Sequence, residues 1–290
     1  LPGKAQAVRD IHMPPTPPAV QEARRRVIFE ELGVLTKSRN GYIYPNSEQA
    51  SAVLDALRLE TERLGVQVVL SCHIQSLKRL GKGLFEARTD QGVFRGDRLI
   101  LAAGSKAAPV TGSDGSGYEL AKGFGHRIIE PLPALVQLRC QGAFLKQLAG
   151  IRCEAVVKLK CGDKILAADK GELQLTDYGV SGIPTFQISR FASVALYEGR
   201  KVSVVLDLLP SKSMEETRQF LSRRARLMGY RQAGDFLTGV LNKKLAAVLL
   251  KLGKIPETLP VERITREQLN SLTLLIKQLE LPVTATNPFE

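Results

Sequence analysis

The 290-residue sequence predicts an α/β module followed by a β-rich module that carries a helical subdomain. Three observations predict it. A helix, a glycine and an alternating strand follow one another between residues 47 and 70. Short strands with glycine-containing turns fill residues 155 to 208. Two helix starts with reciprocal capping residues, Ser213 with Glu216 and Thr265 with Gln268, precede a last strand at residues 281 to 286. Strands therefore flank the helices in sequence, and the helices read as an insertion. The expected boundaries are 1–130 for the α/β domain with a β-meander, 131–210 for the β-rich domain and 211–270 for the helical subdomain. Residues 271–290 are expected to be a helix end and a returning strand.

The elements are justified in chain order. The run Pro14-Pro15-Thr16-Pro17-Pro18 lacks a regular set of backbone donors, so the first twenty residues read as an extended lead-in. Residues 19 to 32 look helical up to Gly33. Ser47 reads as an N-cap, with Ala50, Val53, Leu54, Leu57, Thr61 and Leu64 on one helical face and Gly65 at its end. Val66, Val68 and Leu70 then alternate as a strand, and residues 74–78, 84–89 and 93–94 form a meander. Residues 98 to 104 read as an apolar strand ending in Ala102-Ala103-Gly104, small enough for a ligand to reach the backbone. Gly112, Ser113, Gly115 and Gly117 lie in a loop directly before a helical stretch at 119–122. Backbone N–H groups and a helix start there suit an anion, although such a loop is also an ordinary tight turn. Strands are expected at 155–161, 165–168, 172–176 and 202–208, and helices at 214–227, 231–252 and 266–279.

Composition narrows the function. Hydrophobic residues make up 44% and charged residues 24%, and no apolar run approaches the ~20 residues of a membrane span. A soluble, cytoplasmic chain is expected, with no membrane partner. The first residue is Leu1, with no leader pattern after it, so a processed or cut chain is expected. The four cysteines form no CxxC pair and the three histidines have no ligand spacing, so no metal is expected and the thiols read as buried. Net charge is +12, and residues 201 to 260 hold 11 Lys or Arg against 5 Asp or Glu, including Arg223, Arg224, Arg226 and Arg231. Aromatic residues that stack bases are sparse there, so the stretch reads as a solvated helix face and nucleic acid is not expected. No Ser/His/Asp order or paired-carboxylate spacing stands out, so no catalytic residue is assigned; His126 reads as a structural cap or surface residue.

Several motifs in one order resemble the bacterial BaiN/YhiN-type flavoproteins, a family of NAD(P)/FAD-dependent oxidoreductases also known as the aminoacetone oxidase family. They are residues 29–34 (FEELGV), 41–47 (GYIYPNS), 99–104 (LILAAG), 112–118 (GSDGSGY), Gly125-His126, 131–136 (PLPALV) and 171–182 (GELQLTDYGVSG). The resemblance implies a glutathione-reductase-like FAD-binding α/β domain, interrupted by a β-barrel-like domain and a helical one. It implies FAD as cofactor, NAD(P)H as a further one, and an unidentified small-molecule substrate. By resemblance, Ala102, Ala103 and Gly104 pass the FAD phosphates or ribityl chain, with Gly112, Ser113, Gly115 and Gly117 beside them. His73 and Ile74 are implied to set backbone against adenine, and Pro45 and Ser47 to lie near the flavin. Thr176, Gly179, Ser181 and Gly182 are implied to face the flavin from the barrel side. Two positions depart from the family pattern: Ser105 stands where a second glycine is common, and Leu175 where an aromatic is usual. Neither the family's GxGxxG loop nor its second glycine-rich segment occurs in this sequence, so the expectation is the middle of an oxidoreductase that alone binds FAD weakly or not at all. A basic module contacting nucleic acid or another anion, and a cofactor-free scaffold, remain the alternatives.

Overall fold

Alternation of apolar and polar residues fixes the largest sheet. In the computed structural model, which describes residues 27–39 and 42–289, Ala155, Val157 and Leu159 are buried, as are Val202, Val204 and Leu206, and Leu279, Leu281 and Val283. Their sequence neighbours face outward, as a strand's period of two requires. The described residues fall into two units, 27–75 with 87–94 and 76–86 with 95–289.

In the first unit a helical turn at 27–31 closes where the Gly33 N–H donates to Glu30 O. The rest of the helix expected from residue 19, and the proline run, lie outside the described residues. Strands β1 (Thr36–Arg39) and β2 (Tyr42–Pro45) pair antiparallel, a hairpin the sequence reading passed over. Helix α1 (Ala50–Arg63) starts later than expected: Gln49 is its N-cap, and the Ser47 hydroxyl only accepts a long bond from the Gln49 N–H at 3.4 Å. The cause is Glu48, whose φ of +58° is left-handed and cannot belong to the helix. The apolar stripe of α1 is exposed, Leu54 at 67%. The strand expected at 66–70 does not form. No described strand pairs with it, the Val66 N–H goes back to Thr61 O, and Leu70 is 77% exposed. Residues 74–96, which the division shares between the two units, form the expected meander, with β3 (Ile74–Arg79), β4 (Phe85–Thr89) and β5 (Gly92–Gly96) in one three-stranded sheet.

The second unit corrects the strand expected at 98–104 in the same way. The segment is irregular and unladdered, with Ile100 88% exposed. A short apolar run becomes a strand only beside another strand, and none of the described strands lies beside this one. Helix α2 (Ser116–Gly123) begins three residues earlier than expected, because the Asp114 carboxylate accepts the Ser116 N–H at 2.9 Å.

A closed six-stranded barrel follows. Its strands are β6 (Leu138–Cys140), β7 (Arg152–Cys161), β8 (Lys164–Leu175), β9 (Gly179–Gly182), β10 (Val202–Asp207) and β11 (Leu279–Thr286), in the order β10-β11-β6-β9-β8-β7 with every pair antiparallel. Between β6 and β7 lies the short helix α3 (Leu145–Leu148). The two strands expected at 165–168 and 172–176 are one. Gly171 between them is no turn: it pairs with Ala155 in the ladder, and a Cβ on it would stand 3.2 Å from Pro184. Helix α4 (Ile183–Tyr197), which the sequence reading missed, packs on β7 to β11. Its buried face is Thr185, Ile188, Ser189, Ala192 and Ser193, too polar to show as a hydrophobic stripe. These hydroxyls are employed: Ser189 Oγ accepts the Val136 N–H at 3.2 Å, and Ser193 Oγ donates to Pro133 O at 2.5 Å.

Between β10 and β11 the chain runs through helices α5 (Met214–Leu227), α6 (Lys243–Leu252) and α7 (Arg266–Gln278). Both expected capping boxes form, Ser213 with Glu216 and Thr265 with Gln268. The helix expected at 231–252 is broken. Residues 233–235 make a single 3₁₀ turn, and α6 starts only at Lys243, where the Asn242 side chain accepts the Lys244 N–H at 3.0 Å. Glycines 234 and 239 interrupt the leucine spacing in between.

Among the described residues no helix is long and apolar enough to cross a membrane, and no group of three metal-ligating side chains forms. Burial pushes the Cys140 thiol on β6 up to about 12. It should therefore stay protonated and unlabelled by iodoacetamide at pH 8 in the folded chain, and react once urea opens the barrel. Mass mapping that finds Cys140 modified under native conditions would contradict the packing of β6.

Candidate functional site

Small residues at 102–104 and in the loop at 112–117 read in the sequence as room for a ligand. The structure brings these two stretches together. Gly104, at φ +73°, lies so close to Ser113 that a Cβ on it would meet the Ser113 hydroxyl at 2.3 Å, and a Cβ on Gly117 would meet Ala103 Cβ at 3.0 Å. The Ser113 hydroxyl donates to Ser105 O, and residues 108 and 113 form an isolated bridge. Gly115 is the left-handed N-cap of α2 and abuts Lys106 and Tyr118. The inner side of Gly104, Gly115 and Gly117 is thus filled by the chain itself. The outer side is open: Ala102, Ala103, Gly104 and Gly112 are exposed, and nothing lies within 4 Å of a Cβ on Gly112.

Beside this segment is a cleft of about 430 Å³ lined by Ser105, Ala107, Leu132, Val136, Phe186 and Phe289. One wall is the 131–137 linker, held by the serines of α4. The barrel adds polar groups nearby in sequence: Gln137, which also lines the cleft, accepts from Asn287 at both its backbone O (3.0 Å) and its Oε1 (3.1 Å). Asn287 Oδ1 in turn accepts the Arg139 Nε–H at 3.1 Å, and the Arg139 guanidinium sits 5.0 Å over the Tyr178 ring. No sequence signal points to this cluster, because Asn287 lies 148 residues from Arg139.

The barrel residues singled out in the sequence form the β8–β9 turn. The Thr176 N–H donates to Gly179 O at 3.0 Å, Gly179 is pressed against β6, and Ser181 O accepts the Thr185 hydroxyl at 3.1 Å. The Thr176 hydroxyl is buried with no hydrogen-bond partner. His73, Ile74 and Pro45 belong to the other unit. His73 has both backbone groups in use, its N–H on the Asp90 carboxylate at 2.9 Å and its O on the Asp90 N–H at 3.2 Å. Ile74 opens β3 and Pro45 ends β2 opposite Thr36. His126 is exposed at the exit of α2, its N–H on Ala121 O.

Residues 132–290, which contain the whole barrel and its inserted helices, match the family model described as the HI0933-like protein barrel and H2TH domain. The chain is 41% identical, over 90% of its length, to the 3-dehydro-bile acid delta(4,6)-reductase of Clostridium scindens, covering 64% of that protein. It is 24% identical over 83% of its length to the ribosomal RNA dihydrouridine synthase of Haemophilus influenzae, covering 58% of it. With the Escherichia coli protein of the same name it shares 25% over 76% of its length, covering 52%. The chain thus spans about half to two thirds of the length of these relatives. A matched domain over more than half of the sequence, with the barrel it describes present strand by strand, makes the chain a member of the HI0933-like family, in line with its resemblance to the BaiN/YhiN-type flavoproteins.

Proposed function

We propose that the parent protein is an FAD-dependent reductase that saturates a carbon–carbon double bond activated by a neighbouring carbonyl, with NAD(P)H as the source of electrons. The observation that carries this reading is the 41% identity to a delta(4,6)-reductase over nine tenths of the chain. The more distant relatives support the reaction type. A dihydrouridine synthase, by its name, also leaves a double bond saturated.

The residues present fit FAD at two points. The backbone at 102–104, with side chains no larger than a methyl, is open on its outer side beside the start of α2. The buried Thr176 hydroxyl lacks a partner. Ala102, Ala103, Gly104, Gly112, Ser113, Gly115 and Gly117 would hold the pyrophosphate side, and Thr176, Gly179 and Ser181 the flavin side. His73, Ile74 and Pro45 are the proposed contacts from the first unit. Bound FAD would supply hydride transfer, which no side chain of this protein can perform. The chain's own part is to orient and to exclude water. The apolar walls of the cleft at Leu132, Val136, Phe186 and Phe289 suit a flat, largely apolar substrate, and Ser105 and Gln137 offer it hydrogen bonds.

The full-length gene product is expected to purify yellow, with about one FAD per chain, and to oxidise NAD(P)H only when an α,β-unsaturated ketone is present. Ala102→Leu, which sets a branched side chain on the open backbone, should weaken FAD binding about five- to a hundredfold, the equivalent of ~1–3 kcal/mol of overpacking. A full-length protein that is colourless and takes up no added FAD would overturn the reading.

A further inference from the structure

The helical subdomain concentrates charge that the proposed reaction does not use, and the fold divides that charge into two kinds. Arg224 turns inward, donating to Phe236 O at 2.5 Å and to Thr238 O at 2.7 Å, so it serves the packing. Arg223 and Arg226, three residues apart on α5, instead line a groove of about 590 Å³ whose other wall starts at Arg266 of α7. Lys212 and Arg218 complete its basic lining.

The acids in the groove are already committed. Glu215 is paired with Arg218 at 2.5 Å, and the Glu216 carboxylate accepts the Ser213 N–H at 2.7 Å in the capping box. Among the described residues no ion pair is formed by Arg223 or Arg226, and Arg266 forms none in the groove, although its charge adds to the backbone and Thr265 hydrogen bonds that hold the neighbouring Glu267 carboxyl below the usual range. Like charges brought together from two helices repel one another, and an anion that neutralises them releases its counterions on binding. Along α5 from Glu215 to Arg226 the groove lining runs about 16 Å at ~1.5 Å per residue, several phosphates long at the ~3.4 Å spacing of a duplex strand. That length exceeds a single phosphate group. A membrane surface fits less well, since an interfacial helix needs an apolar face and the apolar groove residues Phe220 and Leu269 are half buried in its floor. Gln219, Ser222 and Asn270 add neutral hydrogen-bonding groups of the kind that position a backbone without reading bases.

We propose that the α5–α7 groove docks the sugar–phosphate backbone of a nucleic acid, in addition to the reductase site and independently of it. Composition alone made this stretch a solvated helix face; the convergence of unpaired arginines from two helices is what the fold adds.

The test uses the full-length protein, a fluorescently labelled RNA hairpin and a DNA duplex of about 20 base pairs, with anisotropy read from 50 to 200 mM salt. Binding is expected at 50 mM, with an affinity falling by a log–log slope of about −3, one unit per arginine contact. The triple variant Arg223→Gln, Arg226→Gln, Arg266→Gln should lose about tenfold or more of the affinity and flatten that slope, with circular dichroism and thermal midpoint unchanged. Lys251→Gln with Lys254→Gln, outside the groove, should change nothing. Should the triple variant fail to fold, Arg223→Gln alone, expected to reduce the slope by about one unit, takes its place. Absence of binding at 50 mM salt, binding that survives the triple variant, or pelleting with phosphatidylserine-containing vesicles in place of nucleic acid would each overturn the proposal. Whether RNA or DNA binds more tightly then names the partner within that class.

Discussion

Lys277→Met is expected to lower the unfolding free energy by about 3 kcal/mol, because it leaves a partly buried carboxylate without its counterion. Lys277 lies on α7 with its side chain 6% exposed, and its ammonium donates to Asp207 Oδ2 at 2.6 Å, to Leu209 O at 2.9 Å and to Lys212 O. All three of its hydrogens are used, so the charge is fully satisfied. Asp207 ends β10, and its other oxygen accepts the Leu209 N–H at 3.1 Å. The cluster thus ties the last turn of α7 to the chain that leaves the barrel for α5. Methionine keeps the apolar stem and its packing, so the loss reports the charge and not a cavity. The double variant Lys277→Met, Asp207→Asn removes both charges while retaining the acceptor for the Leu209 N–H. It should recover most of the loss, leaving about 1 kcal/mol for the carbonyls of Leu209 and Lys212 that no longer have a donor. Urea titrations of the wild type, Lys277→Met, Asp207→Asn and the double variant give the cycle. A single variant within 1 kcal/mol of wild type would mean that water already reaches this pair.

Most of the fold was legible where local signals and tertiary packing agree. The meander, the barrel strands at 152–161 and 202–207, and α5 and α7 with their capping boxes all appear close to where pattern places them. The errors have physical causes. Gly171 looks like a turn in the sequence, but it is small because Pro184 crosses over it. Helix α4 buries Ser189 under the Val136 N–H and Ser193 against Pro133 O, both of a linker more than fifty residues away, and Thr185 against Ser181 O, so its inner face carries no hydrophobic period. The hairpin of β1 and β2 was open to prediction, since Asn40-Gly41 between two strand-like runs is a strong local hairpin signal. The strands expected at 66–70 and 98–104 fail for the opposite reason. Their composition is right for strands, but a ladder needs a second strand, and composition says nothing about where that strand is.

The candidate site was legible only in outline. Ala103, Gly104, Ser113 and Gly117 were singled out as small residues a ligand could approach, and they do come together, but they are small first because they touch each other. A sequence records that a side chain is absent; it does not record which neighbour required the absence. The same limit hid the α5–α7 groove. Counting charges from 201 to 260 gives a net excess, while only the fold separates Arg224, spent on backbone carbonyls, from Arg223 and Arg226, which have no acid to answer them.

Gly179→Ala should be the more damaging of the two changes, costing about 4 kcal/mol or more, at the upper end for single substitutions. A Cβ on Gly179 would stand 2.0 Å from Leu138 O and 2.9 Å from Cys140 N, both backbone atoms of β6 that cannot rotate away. Only separation of β9 from β6 relieves that contact. The barrel is weakest there: β6 is three residues long and meets β9 through two pairs, Leu138 with Val180 and Arg139 with Gly179. Parting them would also strain the bond from the Cys140 N–H to Tyr178 O at 2.8 Å and expose Leu138 and Val180, which are fully buried. Gly199→Ala is the matched control. That glycine too has a positive φ, +72°, but a Cβ on it meets nothing within 4 Å, so it should cost only the ~1–2 kcal/mol of a left-handed residue. If the two variants unfold at the same urea concentration, β6 and β9 are not in the contact that closes this barrel. If Gly179→Ala alone is strongly destabilised and its Cys140 becomes reactive to iodoacetamide at pH 8, the β6–β9 seam is the place where the barrel opens.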